Sequence, residues 1–327
     1  MKISVVIPVL NGAADGVDAL LRSLREQTVP AEVLVVDSGS SDGTPELIRR
    51  DFPEVKLLEI PNREFQHGRT RNWAARQTNG ELIVFTVQDA VPANERWLES
   101  LTAPFADPLV VAAHGPQIPR RGCNPTVARD IEETYRAIES VSPSTIHHLA
   151  PGSEQERAYR AGGHERDLLR FYSDVNSCLR RNYWVDHPYP EVDYAEDQLF
   201  GQQVLENGFK KAYVPAAGVI HSHDYPLLKL FGRTFDDYRG LDRVFGGTPQ
   251  LKLWKLLPGA ARAAWRDIRY VSGRPNYRMA QKLYWSHWVC WANVFKRAGI
   301  YLGSRHQRIP DWAEALVSLE MRRRRAT

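Results

Sequence analysis

Cysteine is scarce in this chain of 327 residues. Cys123, Cys178 and Cys290 are odd in number and lack CxxC spacing, which argues against a disulfide framework and a zinc site and makes a reducing cytoplasm the simplest setting. Long apolar runs are missing too. None approaches the roughly 18 residues of a membrane span, and Ile3 to Leu10 is too short for a signal-peptide core with its cleavage site, so a cytoplasmic location is expected. No internal repeat or low-complexity linker is present. There is no GxGxxG, the turn after the first apolar run being NGAADG, and no GxxxxGK(S/T), which leaves a nicotinamide dehydrogenase or a P-loop enzyme without its fingerprint.

What is present reads as a folded α/β protein. Hydrophobic residues make up 43% and charged ones 25%, so disorder is not the default, and the length allows one large or two modest domains. Ser4 to Val9 and Glu32 to Val36 are short β-branched runs without polar alternation, as expected of parallel strands covered on both faces. Between them Ala19, Leu20, Leu21 and Leu24 form a helical stripe that closes a βαβ unit. Asp37 ends the second run and opens the small-residue turn from Ser38 to Gly43, after which Asp42, Thr44 and Pro45 suit a helix start. Ligands of open α/β sheets bind outside the carboxyl ends of strands, so an Asp placed to accept from a base imide or a ribose hydroxyl suggests a nucleotide. A plain surface turn with a helix cap has the same composition.

A second cluster spans residues 62–92. His67, Arg69, Arg71 and Asn72 fall at the start of a helix that also carries Trp73 and Ala74, and cations with helix-start N–H groups favour an anion such as diphosphate. Leu82 to Thr86 then reads as a buried strand that delivers Gln88 and Asp89 to the same edge as Asp37. On base rates alone, an Asp after a strand is more often a turn residue than a metal ligand. Farther on, FYSDVNSCLRRNYW reads as a strand and turn beneath a second ligand. Asn176 with Arg180 or Arg181 would offer hydrogen bonds there, and Trp184 would either stack on the ligand or join the core. Glu196 and Asp197 open a helix through Phe200, Val204 and Leu205, where acids also serve as plain caps. Prolines and glycines between residues 142 and 166 suggest a mobile loop that closes over a ligand, and His147, His148 and His164 in it carry no assigned chemistry.

The net charge of +4 is unevenly spread. From Thr248 onward, 16 Lys or Arg face four acids, and six of the nine tryptophans lie there: Trp254, Trp265, Trp285, Trp288, Trp291 and Trp312. Basic residues interleaved with Trp and Tyr suit an anionic membrane surface, with the terminal Arg run able to touch lipid; packing of the aromatics on the rest of the protein is the competing reading. Nucleic acid is not expected, because no recognised binding motif accompanies the charge.

Taken in order, VVIPVLNG, VVDSGSSDGT, HGRTRNWA, GELIVFTVQDAVP, DVNSCLRRNYW, YAEDQLFGQQVLENGFK and VPAAGVIHSH resemble the family 2 glycosyltransferases of the GT-A fold, over most of residues 1–245. The FQHGRTRN and QDA elements are similar to bacterial rhamnosyltransferases of surface polysaccharides. The resemblance implies a Rossmann-like, mostly parallel α/β sheet flanked by helices, with a nucleotide-sugar half over 1–115, an acceptor half over 116–245 and a helical carboxyl-terminal extension over 246–327. It implies an inverting, metal-dependent transferase that moves a sugar, L-rhamnose from dTDP-L-rhamnose, to a saccharide or lipid-linked saccharide acceptor; the cysteine usage and the basic, Trp-rich carboxyl-terminal part add the expectation of a cytoplasmic protein or one peripheral on the inner face of the plasma membrane. Pro8, Asn11, Asp37, Ser38, Asp42, His67, Arg71 and Gln88 would contact the donor, and Asn176, Arg180, Trp184 and Glu196 the acceptor. Asp197 would be the catalytic base, kept ionised by its helix start. Asp89 and His221, with His223 nearby, would hold Mg²⁺ or Mn²⁺. Val87 stands where the family's DxD motif has its first acid, so the rival reading is a catalytically degenerate nucleotide-sugar or membrane-binding module.

Overall fold

In a computed structural model that describes residues 1–141, 145–246 and 250–325, the apolar runs of the first two thirds of the chain become strands. They are β1 (Ile3–Val9), β2 (Glu32–Asp37), β3 (Lys56–Glu59), β4 (Leu82–Thr86), β5 (Val91–Pro92), β6 (Val110–His114), β7 (Gln117–Ile118), β8 (Ile146–His147), β9 (Asn176–Arg180), β10 (Lys210–Tyr213) and β11 (Val219–Ile220). Eight form one sheet in the order β3-β2-β1-β4-β9-β6-β10-β8, parallel except for β9 and β8, and the other three form a small sheet β5-β11-β7. The order turns back at β1, which has β2 on one side and β4 on the other, and that reversal opens a crevice at their carboxyl ends.

The pleat sends alternate residues of these strands to opposite faces, and each face has its own apolar cluster. Val5, Ile7, Val35 and Val84 pack with Leu20 and Leu21 of α2 (Val17–Arg25), which follows the short α1 (Gly12–Asp15), with Ile48 of α3 (Thr44–Asp51), and with Trp97 and Leu101 beyond. Val6, Leu34, Val36, Ile83 and Phe85 pack on the other side with Ala74 and Ala75 of α4 (His67–Arg76). Burial on both faces explains why these strands read as continuous apolar runs.

Trp97 belongs to α5 (Trp97–Thr102); α6 (Pro125–Ser140), α7 (Glu154–Ala161), α8 (Gly163–Arg170), α9 (Arg181–Asp186) and α10 (Glu196–Glu206) follow. The expected mobile loop over 142–166 is largely ordered structure instead. Residues 142–144 lie outside the described residues, β8 comes next, and the Ser153 side chain caps α7 by accepting from Glu156 N. Gly162, at φ 78°, ends α7 and starts α8 in a conformation that an L side chain rarely adopts, so the glycines punctuate helices here.

Two compact units result: residues 1–120 with 131–221, which hold both sheets, and residues 121–130 with the chain from Ser222 onward. The second unit is helical, with α11 (Leu227–Phe245), α12 (Leu256–Ser272), α13 (Met279–Gly303), α14 (Asp311–Val317) and α15 (Leu319–Arg325). α13 lies so close to α11 that a Cβ at Gly299 would sit 2.7 Å from Phe231 O and one at Gly303 2.6 Å from Phe235 O. Among the described residues, no helix is long and apolar enough to cross a membrane.

One buried cationic group sets a pH dependence. Lys211 of β10 is fully buried, with Nζ 2.6 Å from Phe171 O and 3.0 Å from His147 Nδ1, and burial pushes its pKa down to about 7. An unfolded lysine titrates near 10.4, so between about pH 7 and 10 the unfolded chain holds a proton that the folded one does not, and stability rises with pH by about 1.4 kcal/mol per unit. Burial also holds His114 and His147 well below 6.5, so acidification below that value costs further stability. Lys211→Met is therefore expected to flatten the rise of urea-unfolding free energy between pH 7 and about 10. Parallel slopes in variant and parent would refute the assignment.

Candidate active site at the carboxyl edge of the sheet

Two loops form the first wall, and they hold each other. Asn11 adopts a left-handed conformation (φ 55°), donates its N–H to Ser40 Oγ at 2.7 Å and accepts from Ser41 N at 2.9 Å. Asp42 accepts from Ala14 N at 2.9 Å and Thr44 N at 3.2 Å; desolvation opposes its ionisation, but the bonds from Thr44 and Ala14 win and hold its carboxyl below the usual range. The Ser38 hydroxyl donates to Val9 O, and Gln88 clasps the next loop by accepting from Leu10 N and donating to Leu10 O and Asp15. Thus Asn11, Ser38, Asp42 and Gln88, expected to touch a donor, have these atoms engaged in bracing the crevice. Pro8 lies beyond the last β1–β4 pair, Val6↔Phe85, where its missing N–H costs no bond to β4.

Asp37 is different. It is 1% exposed, its Oδ1 accepts from Gly39 N and Ser40 N at 2.9 Å, and its Oδ2 is buried without a hydrogen-bond partner. An unmet buried carboxylate oxygen is costly, and a base imide or ribose hydroxyl would satisfy it. His67, the first residue of α4, is exposed and edge-on to Phe65 at 5.0 Å.

Asp89 and His221 form the next group. β11 pairs with β5, which starts two residues after Asp89, and this brings His221 Nε2 to 3.5 Å from Asp89 Oδ1. Gln117 Oε1 lies 2.9 Å from His221 Nδ1; with the amide oxygen accepting, Nδ1 carries the proton and Nε2 presents its lone pair toward Asp89. A buried carboxylate beside an imidazole so oriented fits a divalent cation of the Mg²⁺ or Mn²⁺ class, nitrogen favouring Mn²⁺. Arg120 Nη2 lies on the same Asp89, 2.8 Å from Oδ2 and 2.7 Å from the main-chain oxygen. Val87, at the position of the missing first acid, is half-buried and packs against the apolar core. His223 lies in the second unit, its ring 5.7 Å from that of Tyr225.

The third group was only partly legible in the sequence. A Cβ at Gly68 would lie 2.5 Å from Pro190 O, so glycine lets the start of α4 rest on the segment before α10, and Ala195 at φ 57° turns the chain into that helix. Arg71 thereby reaches Glu196, Nη1 to Oε1 at 2.8 Å, and Asp174, Nε to Oδ2 at 3.2 Å, all three buried. Asp174 Oδ1 accepts from Tyr189 at 2.6 Å and Ser177 at 2.8 Å, and Asp174 N donates to Asp197 Oδ2 at 3.2 Å. Burial, then the charges of Glu196 and Asp174, push the Asp197 carboxyl well above its ordinary range against the pull of Arg71. The helix start was expected to keep Asp197 ionised; burial among acids overrides it. Arg71, expected on a diphosphate, and Glu196, expected on an acceptor, are spent on each other.

Register places these groups along one edge. Asn176 pairs with Thr86, so Asp174 lies beside the carboxyl end of β4, three residues before Asp89. Burial raises the Tyr135 pKa, and the charge of Asp197 adds to the shift; Tyr135 also lies beside Gln117, the partner of His221.

Two acceptor assignments are corrected by the direction of β9, and that of Asn176 by its hydrogen bonds. The strand is antiparallel to β4, so the chain runs away from the crevice after Asn176 and puts Arg180 opposite Leu82, at the far edge. There Arg180 donates to Phe105 O at 2.7 Å and Val110 O at 3.1 Å. Trp184 is a core residue, its Nε1 donating to Asn72 Oδ1 at 2.9 Å and its ring near Arg76 and Arg181. Asn176 accepts from Trp97 Nε1 and donates to Ala217 O and Pro116 O, a brace between layers. Asp174 and Tyr189 had no signal beyond that of a turn Asp and a buried aromatic, and Arg120 none beyond its charge.

Residues 4–159 match the family model of glycosyl transferase family 2. Over 322 residues the chain is 27% identical to the O-antigen chain rhamnosyltransferase RfbN of Salmonella typhimurium, spanning 95% of this chain and 92% of that one. It is 24% identical over 318 residues to the O-antigen chain rhamnosyltransferase WbaN of Salmonella anatum, spanning 94% and 90%. Among solved structures, the mannosyltransferase PcManGT from Pyrobaculum calidifontis, in complex with GDP-Man and Mn²⁺, aligns with a TM-score of 0.57 at 18% identity over 92% of this chain and 87% of its own. TarS of S. aureus in complex with UDP-GlcNAc gives 0.51 at 16% identity over 94% and 92%.

Proposed function

Since the chain belongs to glycosyl transferase family 2 and has the GT-A fold, we propose that this glycosyltransferase moves L-rhamnose from dTDP-L-rhamnose to a saccharide, free or lipid-linked, in the assembly of a cell-surface polysaccharide. The rhamnose and polysaccharide assignments rest on two relatives named as O-antigen chain rhamnosyltransferases, each aligned along nearly the whole of both chains. The observation that carries the chemistry is Asp197: a carboxyl with a raised pKa, held at the same sheet edge as the unmet Asp37 oxygen and the Asp89–His221 pair.

The reaction is a single displacement with inversion. The acceptor hydroxyl gives its proton to Asp197 as its oxygen bonds to the anomeric carbon, and the bond from that carbon to the nucleoside diphosphate breaks with both electrons on the leaving oxygen. Asp37 accepts from the nucleotide. Asp89 and His221 would hold Mg²⁺ or Mn²⁺, which when bound neutralises charge on the diphosphate. Arg120, already on Asp89, supplies the cation at that end that Arg71 cannot.

The purified protein, given a panel of sugar nucleotides and acceptors, is expected to release nucleoside diphosphate from dTDP-L-rhamnose with Mg²⁺ or Mn²⁺ and to stop with chelator. Asp89→Ala should cut this on the order of 100-fold, the scale of losing one ligand to a charge-stabilising ion. No turnover with any donor, once acceptors are supplied, would leave the binding-module reading in possession.

A further inference from the structure

The second unit carries a face whose composition matches no protein interior. Between Gln250 and Pro310 the chain has twelve Lys or Arg and one acid, Asp267. That acid is buried, paired with Arg129 and accepting from Asn293 at 2.6 Å, so this stretch exposes no carboxylate side chain. Within α12 the inward positions Ala260, Ala263, Ala264, Asp267 and Val271 are buried. Leu257, Ala261 and Trp265, spaced by four, line the outward side, with Arg262, Arg266 and Arg269 exposed beside them. The turn before the helix adds Leu253 and Trp254 between Lys252 and Lys255. Leu253, Trp254, Leu257 and Trp265 are 65%, 69%, 65% and 63% exposed, far more than isolated surface apolar residues need to be.

We infer that this face, from Lys252 through Arg269, is a docking surface for an anionic lipid bilayer, in which α12 lies flat with Trp254, Leu257 and Trp265 in the headgroup region and the arginines on lipid phosphates. The charge selects this occupant: five cations, Lys252, Lys255, Arg262, Arg266 and Arg269, with no exposed acid among them, meet a leaflet of negative headgroups, while the indole rings favour the wet edge of hydrocarbon. A protein partner would more usually leave acidic residues mixed into so long a patch, and a nucleic acid would have no use for exposed leucines. The arrangement gives attachment without a span.

Flotation of the full chain with vesicles of equal parts phosphatidylglycerol and phosphatidylcholine tests this. The parent is expected to float with the mixed vesicles, to stay behind with pure phosphatidylcholine, to shift its tryptophan emission to the blue on binding, and to be released by salt. The exposed double variant Trp254→Ser/Trp265→Ser should lower the partition coefficient by about 10-fold or more, and Arg262→Gln/Arg266→Gln should abolish the preference for anionic lipid. Nucleoside diphosphate release with a soluble acceptor should be unchanged in both variants. Equal flotation of parent and tryptophan variant would overturn the proposal. So would failure of the parent to float, a dimer in light scattering that the tryptophan variant converts to monomer, or displacement of lipid by an oligonucleotide at equal charge.

Discussion

Replacing Asp197 by Asn is expected to lower sugar transfer by about 1,000-fold or more, within the range of losing a positioned general base, with donor affinity unchanged and folding stability not reduced. The last clause separates a catalytic from a structural carboxyl. Asp197 lies against Glu196 and Asp174, and burial with those charges raises its pKa. A group whose folded pKa exceeds its unfolded one contributes stability below the unfolded value and loses it as pH rises through the folded value. The ionised side chain is thus a burden on the fold, which the neutral, near-isosteric Asn removes at the cost of one acceptor, since the two Asp197 oxygens take N–H bonds from Asp174 and Gln198. Urea unfolding of the variant should match or exceed the parent, with its advantage growing from about pH 4 upward. The parent's kcat/KM should also fall on acidification through a pKa above the ordinary Asp range. A variant with near-parental turnover, or one whose inactivity tracks with unfolding, would remove Asp197 from the role of base.

How far these roles could be read beforehand depended on the range of the interaction. The strands were legible because Val5 to Ile7 and Val33 to Val36 are apolar on both faces, a property that each segment carries by itself. Asp37 and Asp89 were legible for a related reason: Asp37 closes such a strand and Asp89 comes three residues after the end of another, so both are delivered to the carboxyl edge. Arg180 and Trp184 were misplaced by one unknown, the direction of β9 between two parallel strands, and Asn176, which does lie at the crevice end, by long-range hydrogen bonds to Trp97, Pro116 and Ala217; no local pattern encodes either. The glycines at 162 and 163 signalled a break in the chain but could not say whether loop or helix lay on either side. Six carboxyl-terminal tryptophans looked alike in sequence. Folded, they divide: Trp254, Trp265, Trp291 and Trp312 are exposed, while Trp285 and Trp288 are half-buried. Least legible was the pairing of Arg71 with Glu196, 125 positions apart, because a cation after a helix start suits a phosphate as well as a carboxylate.

That pairing yields the second large effect. Arg71→Met is expected to destabilise the fold by about 3–5 kcal/mol, the usual cost of stripping one partner from a buried ion pair. Its guanidinium is the cation shared by Asp174 and Glu196, at 3.2 and 2.8 Å, and both acids would remain buried with their charge uncompensated. A diphosphate ligand on the protein surface would behave in the opposite way, with weaker donor binding and an almost unchanged unfolding midpoint. Arg71→Lys should recover only part of the loss, because one ammonium cannot present two separate donors to two carboxylates in the planar geometry of arginine. Glu196→Gln in the Arg71→Met background should restore stability, whereas in the parent it should cost stability. That change of sign is the double-mutant coupling expected of direct contact. If Arg71→Met instead unfolds with the parent and loses only donor affinity, the buried network is not what holds α4 against α10, and the cation belongs to the nucleotide after all.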